Sequence, residues 1–146
     1  ELLRRYPQSK LYAVDYSALA VCRTRAYTKP DIVKGRCRVL KASVQSLPLA
    51  ASRFDLATAF ETVYFWPNPA ECFAKVYRIL KCGGSFLICN ESDGTDAEGL
   101  RYERIIDGMH CYTAEELETL LRTAGFSEVR IFRHETKPWL SVLAKK

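Results

Sequence analysis

The sequence predicts an α/β fold, a doubly wound and mostly parallel sheet that finishes on an antiparallel strand pair. Three observations carry this. Short apolar runs alternate with helical periodicity along most of the chain. Phe54-Asp-Leu-Ala-Thr-Ala-Phe60 is nearly uninterrupted apolar sequence, as in a parallel strand covered on both faces. Finally, Val129–Phe132 and Leu140–Ala144 are two strand-like runs joined through Lys137-Pro138, a connection short enough for an antiparallel pair.

Each element has a local reason. Glu1–Tyr6 reads as the last turns of a helix ended near Pro7, and Leu11–Val14 as a first strand followed by Asp15. Ser17 caps a helix reaching about Tyr27. Cys37–Ala42 alternates apolar and basic residues, the pattern of a half-exposed strand, and Ser46–Arg53 is a connecting loop. After the Phe54–Phe60 strand, Asn68-Pro69 opens a helix whose stripe Phe73, Val76, Tyr77 and Leu80 belongs to a core. Gly83-Gly84 then turns the chain into a buried strand, Ser85–Cys89. Thr113 and Glu116 form a capping box, and Leu117, Leu120, Leu121 and Ala124 line one face of a helix that stops at Gly125. No repeat or linker interrupts this, so residues 1–146 read as a single domain.

Composition narrows the class. The 146 residues are 48% hydrophobic and 27% charged, with a net charge of +5, as in a soluble globular protein. No apolar run approaches the roughly 18 residues a membrane span needs, and Glu1 opens no signal peptide, so a cytoplasmic protein without a membrane partner is expected. Cys22, Cys37, Cys72, Cys82, Cys89 and Cys111 stand singly and read as reduced structural thiols. His110 and His134 flank no ligand cluster, so no metal is expected.

Between Arg23 and Lys41 seven basic residues face one acid, Asp31. Such a stripe suits a polyanion such as RNA, but a solvated helix face beside a charge-protected edge strand is the favoured reading. Nucleic acid is therefore not the expected partner, since only Tyr27 offers a ring for base stacking.

In an open α/β sheet, ligands bind beyond the carboxyl ends of the strands. After the first strand stands Asp15, whose carboxylate suits the vicinal hydroxyls of a ribose or, more plainly, a helix dipole. After the second stand Ser43-Val44, which suit a purine edge. After the third comes Glu61, leading into Thr62-Val-Tyr-Phe-Trp66, and after the fourth Asn90-Glu91. Two acids, Glu61 and Glu91, thus project from neighbouring strand ends.

The ordered succession Val14-Asp15-Tyr16-Ser17, Ser43-Val-Gln-Ser-Leu-Pro48, Arg53-Phe-Asp-Leu56 and Tyr77-Arg-Ile-Leu-Lys-Cys-Gly-Gly84 resembles the class I S-adenosylmethionine-dependent methyltransferases, in their small-molecule, type 11-like branch. The resemblance runs from about Leu3 to Ala144. It implies a Rossmann-like sheet, S-adenosylmethionine as cofactor and a small-molecule acceptor. Asp15 would hold the ribose with Tyr16 beside the adenine; Ser43 and Val44 would meet the adenine edge; Ala59 and Phe60 would approach the sulfonium. Glu61 would be the catalytic base, with Tyr64, Trp66 and Glu91 facing the acceptor. Tyr16 and Trp66 also read as core aromatics, and Glu61 as an arginine's partner.

The pattern departs from the family at Cys82, where proline is usual, and at its beginning. The first strand and glycine-rich loop, about 20 residues before Asp15, have no counterpart, so a truncated domain of weak cofactor affinity is expected. Unpaired sheet edges then leave homodimerisation open. Two other readings stand beside this one. They are a degenerate methyltransferase-like module acting through protein contacts, and a nicotinamide oxidoreductase, which the Leu-Pro loop and closing strand pair disfavour.

Overall fold

The computed structural model describes residues 1–146. Contacts divide the chain into two compact units, residues 1–48 and residues 49–146.

The first unit contains α1 (Leu2–Arg5), β1 (Leu11–Asp15), α2 (Ala18–Tyr27), α3 (Lys29–Val33) and β2 (Cys37–Lys41). The two strands pair in parallel, Leu11 beside Cys37 through Asp15 beside Lys41. Ser17 caps α2 through its side chain, as its position suggested, accepting from the Ala20 N–H. Thr28 interrupts the helical run, and Pro30 in the first turn of α3 restarts it without needing an N–H donor. The core is small: Val21, Cys37 and Val39, with Leu3, Leu11, Ala13 and Ile32 packed against them.

The second unit holds β3 (Phe54–Phe60), α4 (Pro69–Ile79), β4 (Leu80–Asn90), α5 (Ala97–Ile105), α6 (Ala114–Thr123), β5 (Glu128–Arg133) and β6 (Leu140–Lys145). Its sheet runs β3-β4-β6-β5, with β3 and β4 parallel and β6 antiparallel to both β4 and β5. The expected closing antiparallel pair is present. The capping box is also complete: the Thr113 hydroxyl accepts from Glu116 N–H, and the Glu116 carboxylate accepts from Thr113 N–H. The core centres on aromatic contacts, Phe86 meeting Trp66 in a parallel stack and Phe73 edge-on. Ile88, Leu117, Leu121, Leu140 and Val142 close around them, each fully buried.

Three local features differ from expectation. β4 begins at Leu80 rather than beyond Gly84, because a register shift between Phe54 and Leu56 lets the strand run through both glycines. Asn68 precedes α4 in a left-handed conformation, with φ of 46°, and gives no side-chain cap. The helices α3 and α5 are additional. In keeping with the unpaired edges expected from the sequence, the strands form a parallel pair and a mixed four-stranded sheet, and β1 and β3 are each hydrogen-bonded on one side only.

Candidate functional site

In the first unit the expected residues gather where β1 and β2 end. The Ala42 N–H donates to the Asp15 carbonyl, so the parallel ladder continues one residue past the strands and brings Asp15 beside the Ala42-Ser43 turn. One carboxylate oxygen of Asp15 accepts the Ser17 N–H at 2.8 Å, which fixes the side chain against the start of α2. The Ser43 hydroxyl accepts the Gln45 N–H, and Val44 opens a short 3-10 turn. Tyr16 is 75% exposed, so it is no core aromatic; its ring is open to a flat ligand.

In the second unit the carboxyl ends of β3 and β4 are joined through a side chain. Glu61 N–H donates to the Cys89 carbonyl, and the Glu61 carboxylate accepts the Glu91 N–H at 2.7 Å. Glu61 itself is left-handed, with φ of 54°, a strained conformation for a residue with a long side chain. Its carboxyl is raised above the ordinary glutamate range, first by burial and then by the like charge of Glu91, against the opposing Glu91 N–H and Tyr64 hydroxyl. The other reading of Glu61, a partner for arginine, finds no ion pair in the structure.

Ala59 is buried and Phe60 is half exposed at the end of β3. Tyr64 is buried, its hydroxyl accepting the Ser92 N–H at 3.0 Å, and burial holds that hydroxyl well above the usual phenol range. Trp66 stacks on Phe86. Both rings therefore brace the wall from within, and the aromatic residue of this segment that stays exposed is Phe65.

Other residues complete this end of the unit. Ser92 Oγ donates to Asp96, the side-chain cap of α5. Gly99 packs so tightly that an added Cβ would lie 2.2 Å from Ser92 Oγ. Glu103 on α5 accepts the Cys111 N–H at 2.8 Å and faces His110 Nδ1 at 3.1 Å, while Glu116 lies 3.7 Å from His110 Nε2. The segments after β3 and β4, α5 and the turn before α6 are thus stitched together. Asn90, 3% exposed, leaves both amide atoms unpaired, a buried polar group with capacity to spare. The one sequence signal for this assembly was Asp96, an N-cap residue. A groove of about 490 Å³ is lined by Pro69, Tyr112, Glu115, Glu116, Thr119 and Leu120; it adjoins His110 through Tyr112 and Glu116, and none of the expected site residues borders it.

An α/β unit with a carboxylate, an open aromatic ring and a hydroxyl at adjoining parallel strand ends has the donor set of a nucleoside-binding protein. Comparison with known proteins makes the class specific. Residues 1–88 match the family described as "Methyltransferase domain", and the chain belongs to that family, the class I S-adenosylmethionine-dependent methyltransferases. It is 34% identical over 86 residues to cycloartenol-C-24-methyltransferase 1 of Oryza sativa subsp. japonica, covering 59% of this chain and 25% of that protein. A SAM-dependent methyltransferase structure from Aquifex aeolicus superposes with a TM-score of 0.75 at 19% identity, covering 93% of this chain and 68% of that one. The [4+2]-cyclase SpnF superposes at 0.79 with 17% identity, covering 99% and 69%. The chain thus spans about a quarter of the rice relative's length.

Proposed function

We propose that this chain is the part of a methyltransferase that holds the adenosine end of S-adenosylmethionine and one wall of a small-molecule acceptor site. The observation that carries the proposal is the Glu61 carboxylate, strained, partly desolvated and bound to the Glu91 N–H at adjoining strand ends.

The residues present fit the cofactor's nucleoside. Asp15 keeps one carboxylate oxygen for a ribose diol while the other is tied to Ser17, and the bare ring of Tyr16 suits an adenine face. Ser43 and Val44 take the adenine edge, and Ala59 and Phe60 of the second unit are the residues the family resemblance assigns to the sulfonium. When bound, S-adenosylmethionine supplies an electrophilic methyl group. Glu61 draws a proton from the acceptor through the carboxylate oxygen not engaged with Glu91, and its raised affinity for protons favours that task. Glu91 faces the acceptor beside it. Tyr64 and Trp66 hold the acceptor wall in place from behind, and Tyr64 does so by fixing the Ser92 backbone.

An acceptor with an apolar body fits best, because Phe60, Phe65, Tyr102 and Ile105 are exposed on the segments stitched together there. The sterol named for the rice relative is of that kind.

A second reading, a methyltransferase-like module acting through protein contacts without catalysis, draws support from one fact. The turns after β1, β2 and β3 contain no glycine that would let a backbone approach the cofactor's methionine end. Residues 1–146 by themselves are accordingly expected to bind the cofactor weakly. Nuclear magnetic resonance titration with S-adenosylmethionine reads weak binding directly. Shifts at Tyr16, Ser43 and Val44, abolished by Asp15→Asn, are expected; shifts confined to other residues would sink the adenosine assignment. In an active methyltransferase carrying these residues, Glu61→Gln is expected to lower turnover about 100-fold or more. Unchanged turnover would remove Glu61 from the mechanism.

The one-sided strands β1 and β3 also favour self-association of the chain, whose cellular setting we take to be the cytoplasm. A monomer by light scattering at all accessible concentrations would count against an edge-paired dimer.

A further inference from the structure

The helical run α2–α3 leaves an unusual face exposed. Its inward side is set by Val21 and Ile32, which pack in the core, and by Arg25, whose guanidinium donates to the Val39 carbonyl at 3.0 Å. Away from that side α2 carries Leu19, Cys22 and Ala26 and, beyond the break at Thr28, α3 carries Pro30 and Val33, all of them exposed. Leu19 is 60% exposed and Val33 79%, so these apolar side chains face solvent. α2 buries only Val21, and α3 buries nothing fully. Arg23, Lys29 and Lys34 stand among these residues, with Tyr27 at 87% exposure. None of the three makes an ion pair, and the only acid of the run, Asp31, faces Arg36 at 3.6 Å.

Charge points to what covers this face. Residues 1–48 contain ten Lys and Arg against three Asp and Glu, a net of +7, whereas residues 49–146 contain twelve against fourteen, a net of −2. The +5 of the whole chain is therefore produced by the smaller unit.

We propose that the outward side of α2 and α3 docks on an anionic lipid surface, Leu19 and Val33 entering the headgroup boundary and Arg23, Lys29 and Lys34 pairing with acidic headgroups. Leu19 and Val33 add apolar area that a bilayer interface rewards and that nucleobases cannot stack upon. A second copy of the chain is a poor occupant, because a two-fold contact through this face would set the same three cations against themselves. Tyr27 has the ring and hydroxyl of an interfacial anchor. The expectation of no membrane partner rested on the lack of a spanning segment, and docking needs none: no helix is long and apolar enough to cross a membrane. The proposal rests on residues 1–48 alone and stands apart from the methyl-transfer reading.

Flotation of the whole chain with phosphatidylcholine vesicles, with and without phosphatidylserine, tests it. Binding only to the phosphatidylserine vesicles, weakened by salt, is expected. Each cation removed near the surface is expected to weaken it about five-fold, so Arg23→Glu with Lys34→Glu should cost at least about 25-fold. Leu19→Asp with Val33→Asp should abolish it, with circular dichroism unchanged since both sites are exposed. Should that pair disturb the fold, Tyr27→Trp supplies the second measurement: its fluorescence should be quenched by brominated lipid in acidic vesicles. Binding that survives both pairs, absence of quenching, or no binding to acidic vesicles overturns the proposal. So does tighter binding of a single-stranded RNA that is indifferent to Leu19→Asp.

Discussion

The two units of this chain are stabilised to very different degrees. Of the 22 buried apolar residues, three, Val21, Cys37 and Val39, lie in residues 1–48; the other 19 lie in residues 49–146. The larger unit has an aromatic centre of Trp66, Phe73, Phe86 and Phe126, in which each ring meets at least one other. The smaller one has a two-stranded sheet, a few aliphatic contacts and an excess of like charge that opposes compaction. Both contain strand ends for which a ligand is proposed, but only the larger unit has the apolar mass to hold those ends rigid by itself. Order in residues 1–48 is therefore expected to depend more on what binds them than order in residues 49–146 does.

The sharpest way to break that comparison is to cut the larger core. Phe86 is 1% exposed and touches Trp66, Phe73 and Phe126, so Phe86→Ala should cost about 3–5 kcal/mol. Val39→Ala in the smaller core should cost about 2 kcal/mol, since fewer contacts are lost and the site is better able to collapse. Denaturant unfolding of both variants checks the order. Equal losses would mean the smaller unit is packed as firmly as the larger.

Hydrogen exchange sharpens the same contrast without mutation. Amides of β1 and β2 should exchange well before those of Phe86–Ile88 and Val142–Ala144, which lie inside the four-stranded sheet. Matching protection in both sets would refute the ranking.

How far the sequence foretold this follows the same division of forces. All six strands were legible because their apolar patterns are strong, and the Thr113–Glu116 capping box because its chemistry is local. α3 was hidden by its shortness and by Pro30, and α5 by Gly99, a residue that weakens a helical pattern but permits the close approach to Ser92. Asp15 and Ser43 were legible because strand-end positions are known once strands are placed. The strain at Glu61, the inward turn of Trp66 and the Tyr64–Ser92 contact were not, since they depend on which segments pack together after the sheet forms. No periodicity encodes that. The basic stripe from Arg23 to Lys41 was legible, and the opposite sign of the two units emerged once the boundary near Pro48 was known.

The smallest expected effect concerns the clasp that holds α5. Glu103 is held below the ordinary glutamate range, first by the Cys111 N–H and then by His110, against a modest opposing effect of burial. A carboxylate with a lowered folded-state value contributes stability above its unfolded value, near 4.5, and loses it as pH falls through the folded value. Acidification below that point should therefore loosen α5 while the four-stranded sheet persists. Glu103→Gln keeps an acceptor for Cys111 but removes the charge facing His110, so it should cost about 1 kcal/mol at neutral pH and nothing in acid. Proteolysis between Asp93 and Asp107 at several pH values is the measurement. If the variant and the parent are cut alike at neutral pH, the charge of Glu103 does not hold the helix, and the apolar contacts of the larger unit extend to α5 as well.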